Sequence, residues 1–154
     1  MKSKILVTIF CILISSSVVA KNLNIESESI LLDKKKEITI FQNNVVVKTL
    51  DNNLIKSDYA EYNRKNKIIL LKNNVIAQDS EGNLIETEYA EYNEVNEIFI
   101  SRGLTKITTS QNFEIIGENI NFDNKNKIIK SSNAASVTDI DGNIITLSNF
   151  EFEN

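Results

Sequence analysis

Few residues in this chain are of types that do chemistry. Glu61 and Glu91 stand in identical frames, YAEYN at Tyr59 to Asn63 and again at Tyr89 to Asn93. Two carboxylates across a glycosidic bond can act as acid and as base or nucleophile. The third copy of the frame, ENINFDN, carries Asn121 at the equivalent place, so the acid is not maintained. A solvated sheet face accounts for the pair better. The stretch DIDGN, residues 139–143, has the outline of a calcium loop but no downstream carboxylate ligand, and reads as a hairpin turn. The chain has no histidine and a single cysteine, Cys11, which excludes the usual zinc and copper sites and any histidine-based triad. No glycine-rich phosphate loop follows a strand. Neither catalysis nor a cofactor or metal is expected.

What surrounds these residues explains them better. The chain opens with a basic head, MKSK, an apolar run from Ile5 to Ile14, and SSSVVA. Val18 and Ala20 occupy the two positions a signal peptidase reads, so residues 1–20 are expected to be a cleaved leader and residues 21–154 a single domain. The apolar run is far short of the roughly 20 residues a membrane-spanning helix needs. Cys11 leaves with the leader, and what remains has no cysteine for a disulfide. That remainder holds 15 basic and 21 acidic residues, a net charge of −6. Such a balance disfavours nucleic acid, whose phosphates need a basic surface, and simple electrostatic binding to anionic membrane.

The duplicated YAEYN belongs to a longer pattern. In rows of thirty residues the columns align without a gap: Ile25, Ile55, Ile85, Ile115, Ile145; Ile38, Ile68, Ile98, Ile128; Leu32, Tyr62, Tyr92, Phe122, Phe152; and Ile30, Ala60, Ala90, Ile120, Phe150. About four and a half repeats fill the chain, and a repeat at this period is a structural unit before it is anything else. Two sets of turn signals lie about fifteen residues apart: DNN, SEGN, SQN and DGN at 51–53, 80–83, 110–112 and 141–143, and RKN, EVN and NKN at 64–66, 94–96 and 124–126. Segments between them, such as KIILL and EIFIS, alternate and are rich in β-branched and aromatic residues, which predicts strands and no helix.

A fifteen-residue limb would reach roughly 50 Å if fully extended, so each must bend. Apolar positions fall at 68 and 70 and then at 75 and 77. That change of parity calls for an inserted residue at Asn43, Asn73, Gly103 and Asn133, all tolerant of the left-handed conformation of a bulge. The other limb changes parity around Ser57, Thr87 and Gly117. Two facing sheets follow, with an apolar lining predicted to comprise Ile38, Ile40, Val45, Val47, Ile55, Tyr62, Ile68, Leu70, Val75, Ile85, Tyr92, Ile98, Ile100, Ile107, Ile115, Phe122, Ile128, Phe150 and Phe152. On this reading an acid at Ile98 buries an unpaired charge. The lining could close as a dry core or stay open as a trough.

The unit formed by Ile55, Ala60, Tyr62, Asn63, Ile68, Leu70, Asn73, Asn74 and Val75 resembles the OstA-like repeat of periplasmic lipopolysaccharide-transport proteins. That family includes LptA and the N-terminal domain of the outer-membrane assembly protein LptD. The likeness runs from about Asn22 to Asn154; the family's glycine is kept at Gly103 and replaced by Asn43, Asn73 and Asn133. The resemblance implies an all-β fold, a half-open antiparallel β-jelly roll. It also implies a non-enzymatic periplasmic protein that holds the acyl chains of lipopolysaccharide in an apolar interior. Its expected partners are lipopolysaccharide, other OstA-like components joined end to end by strand pairing, and copies of itself. The strand near Leu23 and the stretch from Ile144 to Phe152 are the edges expected to pair, the sequence stopping at NFEFEN within a repeat. The rival reading is a parallel β-solenoid in which Ile68 stacks on Ile98, as in a secreted adhesin-like protein.

Overall fold

A computed structural model describes residues 23–49 and 51–153. The leader at 1–20, its cleavage after Ala20 and Cys11 lie outside the described residues. The described residues form thirteen strands and no helix. In chain order they are β1 (Asn24–Glu26), β2 (Ser29–Asp33), β3 (Ile38–Lys48), β4 (Leu54–Asn63), β5 (Ile68–Gln78), β6 (Leu84–Asn93), β7 (Ile98–Thr108), β8 (Glu114–Glu118), β9 (Asn121–Asp123), β10 (Ile128–Ser131), β11 (Ala135–Thr138), β12 (Ile144–Leu147) and β13 (Phe150–Glu153). Every pairing is antiparallel, and Ile68 lies opposite Asn63 and Asn93 rather than on Ile98. The solenoid is thereby excluded.

The long strands β3 to β7 each cross a corner, so the sheet folds into two halves. One half carries an unbroken inner row: Ile25, Val47, Ile55, Ala77, Ile85, Ile107, Ile115, Val137 and Ile145, each the register partner of the next. The other carries Leu32, Thr39, Tyr62, Ile69, Tyr92, Phe99, Phe122, Ile129 and Phe152. At about 4.8 Å per strand, each row runs roughly 40 Å. The core lies between them.

The corner is where the backbone ladder breaks, and the sequence compensates there. In β4 and β6 the buried positions switch from 55 and 57 to 60 and 62, and from 85 and 87 to 90 and 92. Two consecutive residues thus point outward, and the expected parity change at Ser57 and Thr87 is present; Gly117 and Ile120 repeat it. Hydroxyls buried at the corner take up the backbone groups the ladder abandons. Ser57 donates to the Tyr59 carbonyl at 3.0 Å and Thr87 to that of Leu104 at 3.2 Å. Ser101 accepts from the Ile120 amide at 3.0 Å, and Ser131 donates to the Glu118 carbonyl at 2.8 Å.

The other limbs turn differently from the sequence expectation. Asn43 and Asn44, and again Asn73 and Asn74, both take positive φ, between 50° and 63°; Gly103 has φ 77°. Asn133 does not join them. Opposite two residues of β6, three residues of β5 cover the same step, Lys72 to Val75 against Tyr89 to Thr87. Because three successive residues, 72 to 74, point outward, buried positions keep their parity: 69 and 71, then 75 and 77. The even-numbered positions of this half were therefore placed on the wrong face. Ile38, Ile40, Ile68, Leu70, Ile98, Ile100 and Ile128 lie on the outer face, half-exposed, while Thr39, Phe41, Ile69, Leu71, Phe99 and Ile129 fill the interior. The expectation for Ile98 falls with them.

The turns form two rims. At one, Asn52, Gly82, Asn112 and Gly142 adopt positive φ, as expected of the Asn and Gly signals. At the other rim the left-handed residues are Glu37, Lys67, Glu97 and Lys127, one place beyond the asparagines of RKN, EVN and NKN. Each such residue costs roughly 1–2 kcal/mol. Two bonds offset it. The side chain that ends the preceding strand accepts turn amides, as Asn63 does from Lys65 and Asn66 at 3.1 Å. The carbonyl turned outward accepts from the next tip: Glu37 from Arg64, Lys67 from Glu94, Glu97 from Asn124.

Replacing Asn73 by valine should cost about 1–2 kcal/mol through the left-handed backbone, while glycine there should be near neutral. Urea unfolding midpoints at constant m check this; equal losses for both variants would show that Asn73 acts through its side chain.

Candidate functional site

The face and the ends of the inner rows define what the molecule can hold. Of the residues expected to line it, Val45, Val47, Ile55, Val75, Ile85, Tyr92, Ile107, Ile115, Phe122 and Phe150 are buried between the halves, and Tyr62 and Phe152 pack against them half-buried. The structure brings these together and leaves out the seven outer-face residues. Sequence reasoning missed Phe41, Ile69, Leu71, Phe99 and Ile129. Hairpin register could have found them, since Asn63 opposite Ile68 puts inward-facing Tyr62 opposite Ile69, not Ile68.

The middle of the interior is filled. Val47, Ala60, Ile69, Leu71, Ala90, Ile107 and Ile129 expose nothing. The enclosed space among Ile55, Ala77, Ile85, Tyr92, Phe99 and Phe122 is about 20 Å³, room for about one water. Beside it, buried amides tie neighbouring turns. The Asn53 side-chain oxygen accepts from the Ser80 amide at 3.1 Å, and that of Asn83 from the Ser110 amide at 2.9 Å. Burial among these groups, reinforced by the charge of Glu97, pushes the Tyr92 hydroxyl up to about 12.

The ends are open. At the N-terminal end, Leu23, Asn24 and Ile25 face Thr39, Phe41, Tyr62, Arg64, Lys67 and Glu94 across a groove of about 780 Å³. At the C-terminal end, Ile115, Val137, Ile145, Leu147, Phe150 and Phe152 line a groove of about 290 Å³. One outermost residue of each inner row is uncovered, Leu32 at 50% exposed and Ile145 at 56%, while Ile25 and Phe152 at the opposite ends pack half-buried against the core. Single exposed aliphatics are ordinary, but these continue a buried row past its last partner.

Glu61 and Glu91 flank Leu70 on the flat outer face, two strands apart. Tyr59 donates to Glu61 at 3.2 Å and Arg102 pairs with Glu91 at 2.9 Å. No cleft lies between them. Among the described residues no group of three His, Cys, Asp or Glu side chains is placed to hold a metal.

An antiparallel sheet folded into two facing halves, packed in the middle and open at both ends, defines an OstA-like transport module. The family model for lipopolysaccharide-assembly, LptC-related proteins matches residues 20–137, and the chain belongs to that family. Among solved structures it is similar to LptH, the LptA-homologous periplasmic component of the lipopolysaccharide transport device from Pseudomonas aeruginosa. The TM-score is 0.64 at 11% identity, over 82% of this chain and 94% of that one. No curated protein matches.

Two outcomes follow from this geometry. Ile69→Ala should cost about 2–5 kcal/mol as a buried deletion, and Ile68→Ala less than about 1 kcal/mol as a half-exposed one; comparable losses in urea unfolding would mean the faces are misassigned. Ultraviolet titration should show Tyr92 ionising near pH 12, after the other tyrosines. An unfolded tyrosine ionises near 10, so between pH 10 and 12 the unfolded state releases a proton the folded state keeps. The stability tied to Tyr92 is complete below pH 10 and falls across that interval.

Proposed function

We propose that this chain is a periplasmic, non-enzymatic lipid carrier that holds acyl chains of lipopolysaccharide between the two halves of its bent sheet. The observation that carries the reading is that each inner row is left uncovered at one end, at Leu32 in one and at Ile145 in the other. A closed structural core has no reason to keep Leu32 and Ile145 wet. A trough meant to continue into a neighbour does. Acyl contact at about 25 cal/mol per Å² would supply most of the binding free energy. Export with cleavage after Ala20 would deliver residues 21–154 to that compartment.

The edges suit end-to-end assembly. The described sheet ends in β1 and β2 on one side and in β12 and β13 on the other. Unpaired strand edges recruit other strands, and a partner strand on β12 would extend the row at Ile145. That partner is another OstA-like module or a second copy of this chain.

Photo-crosslinkers at Ile25, Phe41 and Ile145, in cells with labelled lipopolysaccharide, should form lipid adducts, and one at outward Ile76 should not. Equal labelling of all four positions, or none at the inner ones, overturns the reading. Proline at Thr146 should reduce assembly seen by light scattering more than it lowers the unfolding midpoint, since an edge strand tolerates a lost donor.

A further inference from the structure

The charges of the two rims are sharply divided. The rim formed by residues 51–53, 79–83, 109–113 and 139–143 contains Asp51, Asp79, Glu81, Asp139 and Asp141 and no lysine or arginine. On the other rim, two adjacent hairpin tips, 34–37 and 64–67, hold Lys34, Lys35, Lys36, Arg64, Lys65 and Lys67 with Glu37 as the tips' one acid. This concentration sits in a chain whose net charge is −4. The tips are neighbours in space, because the Arg64 amide donates to the Glu37 carbonyl at 3.1 Å.

These tips overhang the N-terminal groove. Arg64 and Lys67 line it directly, above a floor of Leu23, Ile25 and Phe41. Lys67 is committed to Glu94 at 3.7 Å and to the Tyr62 hydroxyl at 3.2 Å. Among the described residues, Lys34, Lys35, Lys36, Arg64 and Lys65 make no side-chain hydrogen bond or ion pair. A second signal lies in the groove wall. The hydroxyl of Thr39, a residue only 5% exposed, has no hydrogen-bond partner, a costly state for a buried polar group unless something else supplies the bond.

We infer that the N-terminal groove is the headgroup end of the carrier, where the cationic tips bind the phosphates of an acylated, phosphorylated amphiphile whose chains lie on the apolar floor. The inference rests on the lipid-carrier reading and adds polarity to it. Guanidinium and ammonium groups make the strong, charge-assisted contacts that phosphate takes, and an apolar floor beneath a basic rim matches an amphiphile's division into chains and anionic head. Among the described residues no such basic cluster lines the C-terminal groove, which Glu151 borders with Lys130 as its register partner. The headgroup would therefore be held at one end and released at the other.

The test uses the full chain and three probes: a bisphosphorylated acylated disaccharide, the same lipid without phosphates, and inorganic pyrophosphate. The variant is Lys34→Gln/Lys35→Gln/Lys36→Gln, at exposed positions outside the groove lining that leave the core intact. The phosphorylated lipid should bind the native chain at least about tenfold more tightly than the phosphate-free lipid, the scale of one charge-assisted hydrogen bond. The variant should abolish that preference while keeping phosphate-free binding, and the salt dependence should flatten. Pyrophosphate should compete with the phosphorylated lipid alone. Equal affinity for both lipids in the native chain overturns the headgroup assignment and leaves the carrier reading standing. Failure of both lipids to bind overturns the carrier reading as well. Binding that responds to the variant only on vesicles containing anionic phospholipid, not with dispersed lipid, overturns the proposal in favour of a membrane-surface patch.

Discussion

Everything in this molecule depends on how a β-strand turns a corner without losing its backbone hydrogen bonds. A sheet of long strands encloses nothing unless all strands bend at one level, and each bend strands amides and carbonyls in an apolar interior. Here two devices share the work. Strands β4 and β6 bend through two successive outward residues, with Ser57 or Thr87 donating to an abandoned carbonyl. Strands β3 and β5 bend through paired left-handed asparagines, and β7 through Gly103. The two devices alternate from strand to strand, three residues on one strand covering the step that two cover on its neighbour.

That constraint also explains what could be read in advance. The two series of turns are written in residue types with distinct backbone preferences, and the thirty-residue period and the bend at Ser57, Thr87 and Gly117 in the spacing of apolar positions. The face of the other limbs is not. In KIILL, Ile68 and Leu70 are as apolar as Ile69 and Leu71, so periodicity gives no preference, and only the hairpin register decides. The reading that put Tyr62 and Ile68 on one face was inconsistent with a four-residue loop between Asn63 and Ile68. Counting one left-handed residue at Asn73, where Asn74 follows it in the same conformation, preserved the error.

The interior shows the same division. Aliphatic and aromatic columns announced a lining, and its buried members are those at the odd positions of the long limbs and around the aromatic column. That the middle is packed while the ends gape depends on which strands lack an outer neighbour, a property of sheet order. The buried hydroxyls at the corner carried no signal of their own, since serine and threonine are equally common on solvated strands. Their meaning appears only beside the carbonyls they serve.

Nearly every strand pairs with a neighbour in sequence, hairpin by hairpin, from β3 through β7. A sheet built this way has a low separation between its contacts, and loop closure costs little at each step. Growth from one end leaves, at every stage, an edge of the same shape as the finished one. For such a chain the addition of its own next strand and the docking of a strand from another molecule are one physical event. Where the polypeptide is interrupted then matters little to the sheet, and oligomerisation becomes a continuation of folding.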